Sequence, residues 1–293
     1  MKTERAAIAG SIFITACWGA AFIFTKWGLQ EMDSYTFLFL RFALASVLCA
    51  IIFFPQLKQI NKATIKGGAF AGSMLALTLI LQTEGLRFTT ASNSALITGL
   101  YLVLTPLFLA IFHKQKIAKY SLIGAIVAFA GLYLLTQYNF QAANFGDFLT
   151  LLCSFGCVGH ILAVDYTSKH HKLLPLALVQ FFTVTLFTGI ISLGTQQPTF
   201  HYSQAAWGSI FFTAIFATII AFGIQIAVQR ILDPTRAGII FALEAVFGAF
   251  FGWWLGAEIM SGTAFAGACL MLSGMAIAEA KPLMNILRNK LGY

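Results

Sequence analysis

Ten apolar segments divide this chain, at residues 7–28, 35–54, 67–86, 91–112, 121–138, 146–166, 173–193, 205–228, 237–257 and 263–280, and the basic residues between them fall almost entirely in every second gap. Lys2 and Arg5 precede the first segment. Lys58, Lys62 and Lys66 follow the second, Lys114, Lys116 and Lys119 the fourth, Lys169 and Lys172 the sixth, Arg230 and Arg236 the eighth, and Lys281, Arg288 and Lys290 the tenth. Of the 18 Lys and Arg, only Lys26, Arg41 and Arg87 escape this sorting, which leaves 15. The other gaps hold Glu31 and Asp33, Glu84 with Arg87, a stretch ending at Asp147, a stretch around Gln196, and Glu258. A hydrocarbon core of about 30 Å is crossed by ~20 apolar residues in a helix. Short loops rich in Lys and Arg stay in the cytoplasm. The pattern therefore predicts ten crossings with both termini inside.

Composition excludes the competing classes. The chain is 59% hydrophobic and 10% charged, whereas a water-facing surface needs roughly a quarter of residues charged. The net charge of +8 is spread over the cytoplasmic stretches without interleaved aromatics. It therefore fits topology and anionic headgroups, and no nucleic-acid partner is expected. Cys17, Cys49, Cys153, Cys157 and Cys269 all lie within apolar segments and read as small apolar side chains. Cys153, Cys157 and His160 lack further ligands, so no metal site is expected.

An offset of 143 residues aligns segments 4–5 with segments 9–10 without a gap. Leu96, Ile97, Leu100 and Val103 fall on Ile239, Ile240, Leu243 and Val246; Gly124 and Ala125 fall on Gly267 and Ala268, and Gly131 on Gly274. A unit of five spans repeats with its sense inverted, the architecture of many secondary transporters, with the substrate site near the midplane between halves. The expected fold class is an all-α integral membrane protein of ten transmembrane helices in two inverted five-helix repeats.

Trp18-Gly19-x-x-Phe22-x-x-x-Lys26, Arg41-Phe42-Ala43, Pro106, and Thr235-Arg236-Ala237 leading to Glu244-Ala245-Val246-Phe247 together resemble the EamA branch of the drug/metabolite transporter superfamily. The resemblance covers nearly the whole chain, as halves at 1–138 and 144–281 before a short cytoplasmic tail, 282–293. It implies transport of small metabolites, commonly export of amino acids, across a bacterial inner membrane. Many members have Glu-Pro where this chain has Glu244-Ala245, so the proline that would bend the ninth span is missing.

Ionisable groups inside hydrocarbon cost about 2.5–3.5 kcal/mol at a helix centre, so each is a functional candidate. Glu244 lies eight residues past Arg236, hence ~12 Å along a helix. It opens an i+4 row with Gly248, Gly252 and Gly256, a face that invites another backbone. Arg41 and Lys26 lie toward the outer ends of their spans, where they either snorkel or reach inward to substrate or an ion pair. Ser94, Thr98, Tyr101 and Thr105 share one helix face, as do Thr218, Phe222, Gln225 and Gln229. Gln180 and His160 add single polar groups, and Trp18 a ring near the midplane. The expected cavity residues are Trp18, Lys26, Arg41, Thr98, Tyr101, Gln180, Gln225 and Glu244. Two cations and one anion there suit a zwitterion or a carboxylate.

No Gly-x4-Gly-Lys-Ser/Thr phosphate loop occurs, so ATP is not the direct energy source. A proton gradient, felt at Glu244, or facilitated exchange remains. An intramembrane enzyme is the rival class, but His160 and Asp165 are five residues apart and off-face, and no aspartates pair at mid-span. The chain is thus expected to be a cofactor-free secondary transporter, monomeric or homodimeric, exporting a small amino-acid-like metabolite, with uptake or exchange as the alternative direction.

Overall fold

A computed structural model describes residues 2–89, 94, 97–112, 114, 116–136, 144–195, 201–255 and 261–291, with backbone alone for 2, 136 and 281–291. Leu96, Gln196, Gly256 and Glu258 lie outside the described residues. Among those described, every regular element is helical. We label the main helices α1 (Lys2–Gly28), α2 (Ser34–Ile52), α3 (Lys62–Gly85), α4 (Tyr101–Phe112), α5 (Lys119–Thr136), α6 (Phe145–His170), α7 (Leu173–Thr195), α8 (Gln204–Val228), α9 (Pro234–Leu255) and α10 (Gly262–Leu291). Eight are long and apolar enough to cross a membrane, and α4 and α5 are shorter apolar helices.

Helix starts follow from side chains just outside the apolar windows, which is why several helices begin earlier than hydropathy alone suggests. A helix leaves its first backbone N–H groups without partners, and a short polar side chain at the N-cap accepts from them. Asp33 accepts from the Tyr35 and Thr36 amides ahead of α2, Asn61 from Thr64 ahead of α3, and Ser203 from Ala206 ahead of α8. Asn144 and Asp147 exchange side-chain and backbone bonds at the start of α6, a capping box. Asp233 caps α9, with Pro234 at its first position, where a missing N–H costs nothing.

Two helices depart from regularity. Inside α8, residues Ile215–Ile220 form a π-helical turn between two α-helical pieces. Helix α9 is two pieces, Pro234–Phe241 and Glu244–Leu255, with three-residue bonds from Leu243 N to Ile240 O and from Ala245 N to Ala242 O at the join. The break therefore forms without the proline at position 245.

The α5–α10 contact shows what the aligned glycines do. Without the hydrophobic effect between helices, close backbone approach is the main gain, and only small residues permit it. A Cβ added to Gly124 would lie 2.5 Å from the Gly274 carbonyl, and one added to Gly131 would lie 2.6 Å from that of Gly267. Under the 143-residue offset these are the same contact with partners exchanged. The flanking contacts obey the same rule: Gly274 meets Ala128 and Gly131 meets Met271, while Gly267 meets Leu135 and Gly124 meets Ala278. Gly124 meeting Gly274 and Gly131 meeting Gly267 make helices α5 and α10 antiparallel.

Two apolar clusters fill the bundle, one built mainly from α1, α4, α5, α6, α9 and α10, the other from α2, α3, α6, α7 and α8. Trp18 packs against both. The space beside it, where neither cluster closes, is the candidate site.

Candidate functional site

A cavity with an empty volume of about 820 Å³, its mouth included, lies between α1, α2, α3, α6, α8 and α9, with Tyr101 at the start of α4. Trp18, Arg41, Tyr101, Gln225 and Glu244, five of the expected residues, line it. Its lining extends to the ends of α1 and α3, at Thr25, Gln82, Thr83 and Leu86. Toward the other end the wall stops at Gln225, Ile161 and Phe241.

Below that floor the bundle is cross-linked. The Gln225 amide donates to Gln229 Oε1 at 3.1 Å, and Gln229 donates to the Ile161 carbonyl at 2.8 Å. Further down, Arg236 donates through Nε to Glu279 Oε1 at 2.7 Å, through Nη2 to the other Glu279 oxygen, and through Nη2 to Glu4 at 2.9 Å. These bonds tie the starts of α1 and α9 to α10. Arg230 donates to the Ser168 and His171 carbonyls beyond α8.

Arg41 neither snorkels nor pairs with an acid. Its side chain is buried (5% exposed), and Nε donates to Thr218 Oγ1 at 2.8 Å while Nη2 donates to the Ala217 carbonyl at 3.1 Å. Hydrogen bonds to a charged group are worth about 1.5–3 kcal/mol each, so two of them offset an insertion cost of about 2.5–3.5 kcal/mol. The same Ala217 carbonyl accepts from the Trp18 indole N–H at 3.2 Å. Trp18 meets Phe241 edge-on at 5.5 Å and Phe222 at 5.5 Å. Aromatic faces thus form the wall between the charged groups.

Glu244 begins the second piece of α9. The amides of Ala245 and Phe247 there donate back to the Ala242 and Leu243 carbonyls. Among the described residues no Lys, Arg or His lies within ion-pair distance of Glu244. Its row turns toward protein as expected: a Cβ on Gly248 would touch Phe22, and Gly19 of α1 abuts Phe247 and Gly248.

The other expected residues sit elsewhere. Lys26 is exposed and off the cavity wall, one turn past the lining residue Phe22, because the inward face of α1 passes through Thr25. The cavity therefore holds one cation rather than two. Thr98 is buried against Cys153, its hydroxyl 3.9 Å from Sγ, and lines no part of it. Gln180 stands behind the wall, its Oε1 3.2 Å from Nε2 of the lining residue His160. Phe241 and the α3 stripe Leu75, Thr78, Leu79, Gln82 and Leu86 went unread in the sequence. That stripe has helical spacing with two polar members, a signal as strong as the α4 stripe.

Comparison with known proteins agrees with this architecture. The sequence model of the EamA-like transporter family matches residues 5–137 and again 144–279. An "uncharacterized transporter" of Archaeoglobus fulgidus is 29% identical over 272 residues, covering 93% of this chain and 85% of its own. The "uncharacterized transporter YoaV" of Bacillus subtilis is 22% identical over 282 residues, covering 91% and 94%. One solved crystal structure superposes with a TM-score of 0.79 at 13% identity, covering 93% of this chain and 97% of that one; at that identity the likeness speaks for the fold alone.

Proposed function

From the premise that this chain belongs to the EamA-like transporter family, we propose that it is a secondary-active exporter of a small zwitterionic metabolite of the amino-acid kind. The observation that carries this reading is one cavity lined by a carboxyl group, Glu244, and a guanidinium, Arg41, with the aromatic rings of Trp18, Phe222 and Phe241 in the same lining. A free ammonium meets Glu244 and a carboxylate meets Arg41, while Trp18, Phe222 and Phe241 hold an apolar side chain. The basic-residue sorting supports ten crossings with both termini in the cytoplasm. The exchanged contacts of α5 and α10 support two inverted repeats, 1–138 and 144–281. In this reading no chemical step is catalysed, and alternating access moves the cargo.

The test is flux from vesicles loaded with individual L-amino acids, using the parent and Arg41→Lys at equal abundance. A planar guanidinium grips a carboxylate with two parallel bonds that an ammonium cannot reproduce. Transport by the parent with at least a tenfold loss in Arg41→Lys is expected. Absence of flux for every amino acid, or full flux through the Lys variant, would overturn the zwitterion reading.

A further inference from the structure

The guanidinium of Arg41 has two edges that can each donate a parallel pair of bonds, one formed by Nε and Nη2, the other by Nη1 and Nη2. The first edge is taken by the π-helical turn: Nε meets Thr218 and Nη2 meets Ala217. Among the described residues no hydrogen bond from Nη1 to protein is seen, and Arg41 lines the cavity. The direction of the Thr218 bond is fixed as well. Its hydroxyl donates to the Thr213 carbonyl at 2.9 Å, five residues back, so a lone pair is what remains for Arg41 Nε.

A regular α-helix would not offer this surface. A single widened turn shifts the carbonyls after it and is found mostly at functional positions. Here Ala217, inside the turn, accepts at once from Arg41 on α2 and Trp18 on α1. One irregularity on α8 therefore aligns the base and one aromatic wall of the same cavity.

We propose that the π-helical turn Ile215–Ile220 is the positioning element of a carboxylate subsite, with Thr218 as a positioning residue that docks the Nε edge of Arg41 and turns its Nη1/Nη2 edge to the cargo. This rests on the zwitterion reading above. Thr218 itself touches no cargo; it acts through Arg41. Its loss lets the guanidinium swing, and the two-pronged grip on a carboxylate goes with it. A cargo whose carboxylate is replaced by a neutral carboxamide never used that grip.

The experiment is ligand-induced thermal stabilisation of the purified full-length protein by each standard L-amino acid and by the carboxamide of every one that binds. The parent is expected to prefer acid over amide by about tenfold or more. Thr218→Val, which keeps the shape and removes the acceptor, is expected to reduce that ratio to within about twofold while leaving amide binding near the parent's. Thr218→Ser restores the ratio. If the Val variant does not fold, Thr218→Cys, a poor acceptor of similar size, decides the same question. An unchanged ratio in the variant, or a parallel loss of acid and amide binding, overturns the positioning role. If no amino acid stabilises the parent, the zwitterion reading itself falls, and the subsite with it.

Discussion

Two acids show how position sets what a single residue does. Glu244 sits in mid-bundle on the cavity wall with no basic partner among the described residues, so its charge depends on whatever water or cargo reaches it. The alternating access proposed above changes that supply. Glu244→Gln is expected to insert normally yet lose the response of vesicle flux to an imposed pH gradient; a variant that still follows the gradient would make Glu244 a packing residue. Glu31 lies outside the spans, where the Ser203 hydroxyl and backbone amide both donate to it. Those bonds, the hydroxyl first, hold its carboxyl below the ordinary value of 4.5. A depressed folded pKa contributes stability that is fully present above the ordinary value and is lost as pH falls through the folded one. Thermal midpoints measured downward from pH 5 are expected to fall less steeply in Glu31→Gln than in the parent. Identical acid slopes would remove the tie between the α1–α2 turn and the start of α8. Of the cavity residues, Trp18, Arg41, Tyr101, Gln225 and Glu244 were legible because burial cost and helical spacing flag them. Lys26 was misplaced because one residue of register separates it from the wall-lining Thr25, and hydropathy cannot resolve a 100° turn.

Among elements, the legible features were those written in period and punctuation. Apolar runs located the helices, and Asp33, Asn61, Asn144, Ser203 and Asp233 explain the starts that hydropathy placed late. The aligned glycines were read in the sequence only as a mark of the repeat, and the structure puts them in the α5–α10 seam. Larger side chains there must push backbones apart, since each added Cβ would meet main-chain atoms rather than yielding side chains. Overpacking of this kind costs about 1–3 kcal/mol. Gly131→Leu is therefore expected to lower the thermal midpoint more than Gly208→Leu, where nothing lies within 4 Å. Equal midpoints would show the seam to be loose. What remained hidden were the π-helical turn and the break in α9. Arg41 and Trp18 both bond Ala217 in the first, the second is held by local bonds between residues 240 and 245, and neither carries a Pro or Gly that would announce it.

For the whole molecule, the sequence carried the membrane class, which depends on composition summed over many residues, and the family, which rests on motifs spread over both halves. What was not readable is the set of side-chain ties across the bundle: Arg236 with Glu279 and Glu4, and Gln225 through Gln229 to Ile161. A buried ion cluster is weak evidence of stability; in the alternating-access cycle proposed above, these are the contacts that part. The central claim is that one site alternates between the two sides. Counterflow tests it most directly: vesicles loaded with unlabelled amino acid are diluted into a trace of the same labelled compound. The account predicts transient accumulation of label above its external concentration, driven by exchange at the site and abolished in Arg41→Lys. Label that merely equilibrates, at a rate indifferent to the compound inside, would contradict it.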